Sequence, residues 1–294
     1  MKFPPVNPRF PHFLHGGDYN PEQWPEEIWH EDMRLMKLSK CNTMSTAIFA
    51  WSTLEPEEGR LEFGWLDRVM DLLAENGGYA CLATPSAARP AWMAHKYPEV
   101  IRVDERGMRL HHGFRLGFCI TSPIYREKCR IITRKLAERY KNHPALLVWH
   151  VNNEIRGQCF CNHCENRFRD WLRERYGSLE NLNHRWRTAF WSHTYTDWSQ
   201  VEAPRGRQVG EFSIESLILD WRRFCNDMVL EMVTNEAEIL REVTPDVPQT
   251  VNEGDMFAML DVRPFAEVCD VLSWDNYPQY HDLDENWKRS EEHT

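Results

Sequence analysis

Two features of the sequence predict an α/β fold of the (β/α)8 TIM-barrel type. A unit recurs along the chain: a short apolar run, polar residues at its C-terminal end, then an amphipathic helix. The stretch Ala145-Leu-Leu-Val-Trp-His-Val is apolar almost throughout, which suits a strand buried on both faces of a parallel sheet. No run of about 18 apolar residues exists, which excludes a span of the bilayer. About six such units fit into the 294 residues, whereas a closed barrel has eight. The expectation is one partial barrel over residues 1–294, with strands seven and eight and any later domains absent.

The first run, Phe13-Leu14-His15, leads into Gly-Gly-Asp-Tyr-Asn-Pro-Glu-Gln-Trp at 16–24. A helix follows over about 25–40. Pro25 suits a first helical position, Glu26 and Glu27 complement the helix dipole, and Trp29, Met33 and Met36 form the inner stripe. The second run, Thr43 to Phe49, precedes a helix over about 64–76 that buries Leu66, Val69, Met70 and Leu73, with Gly77 and Gly78 as its stop. The third run, Tyr79 to Ala83, gives way to a long loop over 87–121. Ser122 then caps a helix with Pro123 at its first position, and Tyr125, Cys129, Ile132, Leu136 and Tyr140 recur at helical spacing. After the fourth run come a helical insertion over about 162–186 and a helix over about 219–243. The fifth run, Pro248 to Val251, ends in Asn252-Glu253-Gly254. The sixth, Val271 to Trp274, ends in Asp275-Asn276-Tyr277-Pro278.

The formal net charge of -10 argues against a nucleic-acid partner, because binding phosphates needs a basic surface. The N-terminal stretch lacks the apolar run of a signal peptide, so a cytoplasmic setting is expected. Thirteen tryptophans are expected mostly in the core, with some free to stack on the apolar faces of sugars.

Chemistry in a parallel barrel gathers at the C-terminal ends of the strands. Glu154 stands there, after Asn152 and Asn153, at the end of the most apolar run. A carboxyl with one apolar wall and one wet side suits a general acid. Asn153 beside it can hydrogen-bond a sugar hydroxyl. A retaining glycosidase needs a second carboxylate about 5–5.5 Å away. Glu253, Asp275, Asp18 and Glu55 are the in-chain candidates, and each also reads as a loop cap or supporting hydrogen-bond partner. The pattern Cys159-Phe-Cys161-Asn-His163-Cys164 suits a structural Zn²⁺ site. Cys119 or His163 would supply the fourth ligand. The cysteines at 41, 81, 129, 225 and 269 read as core.

Several blocks in fixed order resemble the glycoside hydrolases of family 42, mostly β-galactosidases. They are Gly16 to Trp24, Phe49-Ala-Trp-Ser52, Leu54-Glu-Pro56, Thr84-Pro85, and Pro90-Ala-Trp92. Arg115 with Cys119, Asn153-Glu154 and the cysteine cluster come next. Ala189-Phe-Trp191, Tyr195-Thr-Asp-Trp198, Asp220-Trp-Arg-Arg-Phe224 and Ser273 to Pro278 complete the series. The resemblance implies a retaining β-galactosidase acting on β-galactoside oligosaccharides. Glu154 matches the acid/base, while Asn153 and Arg115 match residues that touch the galactose. Cys119, Cys159, Cys161 and Cys164 match the zinc site where members have one, and the full-length protein would be a homotrimer. The family nucleophile is a Glu after strand seven, which nothing in this chain matches. Ile48 also stands where some members carry Glu. The alternatives are a catalytically inactive fragment and a galactoside-binding module.

Overall fold

The computed structural model describes residues 5–155, 158–205, 214–253 and 261–275, with the backbone alone for Glu253 and Trp274. Six strands form one sheet in chain order, each parallel to the next. They are β1 (Asp18–Tyr19), β2 (Thr43–Thr46), β3 (Tyr79–Ala83), β4 (Leu146–His150), β5 (Gln249–Glu253) and β6 (Val271–Trp274). The helices α1 (Glu26–Leu38), α2 (Trp51–Leu54), α3 (Gly64–Glu75), α4 (Ala91–Lys96), α5 (Pro123–Tyr140), α6 (Asn162–Tyr176), α7 (Leu179–Trp186) and α8 (Glu215–Val243) lie in the crossovers. Sequential parallel order with helical crossovers is the winding of a (β/α) barrel. The six expected strands are therefore present among the described residues.

Local chemistry explains most boundaries. The Ser122 hydroxyl accepts from the Tyr125 amide and Pro123 opens α5, as the sequence predicts. Gly77 turns the chain out of α3 at a φ of 71°. Pro25 is the residue before α1 rather than its first member. β2 stops at Thr46, short of Phe49, because Ala47 takes a φ of 65° and breaks the extended backbone. The first strand falls later than Phe13-Leu14-His15, since Phe13 is 84% exposed. Its ladder nevertheless starts at His15, whose carbonyl accepts from the Asn42 amide at 2.7 Å. Gly16 is required beside it, because a Cβ there would run into the Thr43 carbonyl.

All five residues of β4 are buried. Tyr125, Cys129, Ile132, Leu136 and Tyr140 of α5 are buried as well. α8 begins four residues before the expected start and lies along α5. Arg126 and Arg134 pair there with Glu231 and Glu242, each at 2.7 Å. The insertion α6–α7 is pinned to α8 through buried Asp220, which accepts from the Tyr176 hydroxyl at 2.5 Å and from Trp186 Nε1 at 2.9 Å. No helix among the described residues is long and apolar enough to cross a membrane.

Candidate active site and metal centre

The inner faces of the strands enclose a cavity of about 540 Å³. Ser45, Cys81, His150, Thr250, Asn252 and Ser273 line its body, and Asp18, Phe49, Arg115, Asn153, Glu154 and Asp275 line its polar rim. The strand period of two sends alternate residues inward, which is why Thr250 and Asn252 of β5 face the same space. Among the described residues no tryptophan lines it. Trp29, Trp51, Trp149, Trp186 and Trp221 are core instead.

Glu154 leaves the end of β4 on an unusual turn. Asn152 and Glu154 have φ of 60° and 47° respectively. Left-handed backbone costs a residue with a Cβ about 1–2 kcal/mol. Hydrogen bonds offset that cost. The Asn152 amide donates to Thr84 Oγ1 at 2.7 Å, the Asn153 amide to Asn152 Oδ1 at 2.8 Å, and the Glu154 amide to Asn252 Oδ1 at 3.0 Å. The turn brings the Glu154 side chain to the rim while leaving the residue only 6% exposed.

Arg115 reaches Glu154 from the long loop after β3, and its Nη2 donates to Glu154 Oε2. Its guanidinium lies 5.5 Å from the centre of the Phe49 ring, a cation–π contact that orients it. Asn252 ties the rim together: its Nδ2 donates to Asn153 Oδ1 at 3.2 Å and to Asp275 Oδ1 at 3.1 Å. Asn153 Nδ2 has no partner among the described residues and is available to a ligand. Asp275 is raised to about 6, first by desolvation and then by its hydrogen bond to Glu154. Burial pushes His150 down, so its ring is neutral at pH 7, with Nε2 2.9 Å from Asn252 Oδ1. Two hydrogen-bonded carboxyls, a guanidinium and a free amide thus face one cavity. Such a set can hold a proton, bind hydroxyls and donate the proton to a bridging oxygen.

The structure brings Glu154, Asn153 and Arg115 together at one rim, with Asp18 and Asp275 lining the same cavity. It takes Glu55 elsewhere: that carboxylate accepts from Trp51 Nε1 and the Gly59 amide, both at 2.8 Å, and caps a loop. The Glu253 side chain lies outside the described residues. Reading the sequence missed the linking role of Asn252 and the neutral His150 beneath it. Their inward position at alternate strand residues was the available signal.

Cys119, Cys159, Cys161 and Cys164 place their four Sγ atoms within 4.8 Å of one another. The separations Cys119–Cys164, Cys161–Cys164 and Cys119–Cys161 are 3.4, 3.6 and 3.8 Å. A tetrahedral ion with four sulfurs at about 2.3 Å spaces them roughly 3.8 Å apart, so the cluster could hold a metal ion. All four are free thiols. Mutual hydrogen bonds push Cys159 and Cys161 down and Cys119 and Cys164 up, the division expected of crowded thiols sharing protons. Cys119 fills the fourth corner. His163 instead turns its Nε2 to the Thr121 carbonyl at 2.9 Å.

The glycoside hydrolase family 42 profile, described as β-galactosidase, matches residues 18–294. β-Galactosidase Pbg of Clostridium perfringens is 52% identical over 283 residues, covering 94% of this chain and 41% of its own length. The cold-adapted β-galactosidase from Rahnella sp. R3 superposes with a TM-score of 0.91 at 47% identity, over 95% of this chain and 41% of that one. Gan42B, a family 42 β-galactosidase from G. stearothermophilus, gives 0.87 at 52% identity, over 92% and 40%. The chain thus spans about two fifths of the length of these relatives. The catalytic domain of a Paenibacillus polymyxa β-amylase, at 11% identity and a TM-score of 0.62, shares the fold alone. On the profile match and these likenesses together, the chain belongs to the β-galactosidases of glycoside hydrolase family 42.

Proposed function

We propose that residues 1–294 form the N-terminal part of the catalytic barrel of a retaining β-galactosidase, with Glu154 as its acid/base. The observation that carries this reading is the Glu154 carboxyl itself. It is almost fully buried at the end of β4, faces the cavity, and lies beside the donors of Arg115 and Asn153. In this mechanism Glu154 protonates the glycosidic oxygen as a carboxylate nucleophile attacks the anomeric carbon. Glu154 then takes a proton from water, which releases galactose with its configuration retained. The family resemblance puts the nucleophile, a Glu after strand seven, outside residues 1–294. Asn153 Nδ2 and the partly exposed Arg115 guanidinium bind galactose hydroxyls, and the substrates are β-galactoside oligosaccharides.

Zn²⁺ at Cys119, Cys159, Cys161 and Cys164 would be structural, because four thiolates leave no open coordination position. It would cross-link the long loop after β3 to the start of α6. Nine free cysteines fit a reducing, cytoplasmic setting. The full-length protein would be a homotrimer. The exposed, stacked rings of Phe190 and Trp191 offer apolar surface for a subunit contact.

The test is hydrolysis of a β-galactoside by the complete polypeptide that carries this chain, beside Glu154→Gln, with the product anomer read by NMR. The wild type should release β-galactose first, and the variant should lose about 10²–10⁴-fold in rate. An α-galactose first product, or an unimpaired variant, would refute the reading.

A further inference from the structure

One fully buried carboxyl has no part in the mechanism above. Glu236 of α8 has no exposed surface, and burial pushes its pKa up. It accepts from the Ser86 hydroxyl at 2.7 and 2.8 Å, one contact to each carboxyl oxygen, from the Thr84 hydroxyl, and at the longer distance of 3.4 Å from Asn152 Nδ2 directly. Those two hydroxyls belong to the segment just after β3. Each has a second partner, and that partner is the same residue. Ser86 Oγ accepts from Asn152 Nδ2 at 2.6 Å, and Thr84 Oγ1 accepts from the Asn152 backbone amide at 2.7 Å. Two chains of hydrogen bonds therefore leave Glu236 and meet on Asn152, the left-handed residue two positions before Glu154.

The direction of these bonds follows from the inventory of hydrogens. A hydroxyl has one hydrogen. When Ser86 and Thr84 both give theirs to Glu236, each has only lone pairs left for Asn152, and both groups that Asn152 presents are donors. An acceptor at 236 able to serve both hydroxyls thus fixes the polarity of the whole cluster. We propose that Glu236 is a positioning residue for the acid/base: through Thr84 and Ser86 it holds Asn152 left-handed and aims Glu154 into the cavity. The proposal rests on the reading of Glu154 as acid/base. Glutamine at 236 keeps the shape but replaces one acceptor with a donor. Because Ser86 Oγ touches both carboxyl oxygens, the new NH2 faces it whichever way the amide turns, competes there with Asn152 Nδ2, and loosens that arm.

The experiment compares kcat/KM for methyl β-galactoside, whose leaving group needs protonation, with that for dinitrophenyl β-galactoside, whose leaving group does not. Wild type, Glu154→Gln, Glu236→Gln and Ser86→Ala are made in the complete polypeptide that carries this chain. Glu236→Gln should lose about 10²-fold on the methyl substrate, as expected for a misplaced catalytic group, and less than about tenfold on the dinitrophenyl substrate. Ser86→Ala, which opens one arm and keeps the carboxyl, should show the same split more weakly, and it carries the test should Glu236→Gln not fold. Equal losses on both substrates, or none, while Glu154→Gln shows the split, would overturn the positioning role alone. No split in Glu154→Gln would overturn the acid/base reading and this proposal with it.

Discussion

Replacing Cys164 with serine tests the metal centre. Cys164 is buried and its sulfur lies within 3.6 Å of both Cys119 and Cys161. Structural zinc sites are worth about 10–16 kcal/mol in binding free energy. Spread evenly over four ligands, that is roughly 2.5–4 kcal/mol each, or about 10²–10³-fold in affinity for one lost thiolate. Serine is shorter and far less acidic, so it does not replace the thiolate. Competition against a chromogenic chelator reads the affinity, and elemental analysis reads the stoichiometry. The wild type should bind one zinc per chain, and Cys164→Ser should bind it at least about 10²-fold more weakly. A wild-type protein that takes up no zinc at saturating concentration would refute the reasoning, as would a variant of undiminished affinity.

Two further outcomes follow from groups outside that centre. Asp275 titrates at about 6 in the folded chain against an ordinary 3.8, so the folded state binds the extra proton between those values. The stabilisation is present below about pH 3.8 and lost as pH rises through about 6. Asp275→Asn should therefore flatten the fall in melting temperature between pH 4 and pH 7, and an unchanged slope would contradict this. Asp220→Ala removes the acceptor of the Tyr176 hydroxyl and of Trp186 Nε1, which keeps only the Tyr176 oxygen at 3.2 Å, and each lost bond costs about 1–3 kcal/mol. Chemical denaturation should show a loss of roughly 2–6 kcal/mol, and a loss below about 0.5 kcal/mol would mean that α6–α7 does not depend on this anchor.

Much of the barrel was legible because its signals are local. The bounds of β3 and β6 follow from apolar runs flanked by polar residues, and the start of α5 from Ser122-Pro123. β1 was misplaced because its two residues, Asp18 and Tyr19, form no apolar run. Glu154 stood out at the end of a continuously buried strand, and the cysteine spacing carried its own chemistry. The supporting cast did not stand out. Asn252 meets Glu154 from 98 residues away, and Glu236 meets Ser86 from 150 residues away. A glutamate within a long helix reads as solvated until its neighbours across the fold are known.

The most direct test of the account is labelling the complete polypeptide with a 2-deoxy-2-fluoro-β-galactoside and locating the label by peptide mass spectrometry. The slow sugar traps the carboxylate that attacks the anomeric carbon. The account predicts one labelled glutamate outside residues 1–294, and Glu154 unlabelled. Label on Glu154, or on Asp18, Glu253 or Asp275, would contradict it.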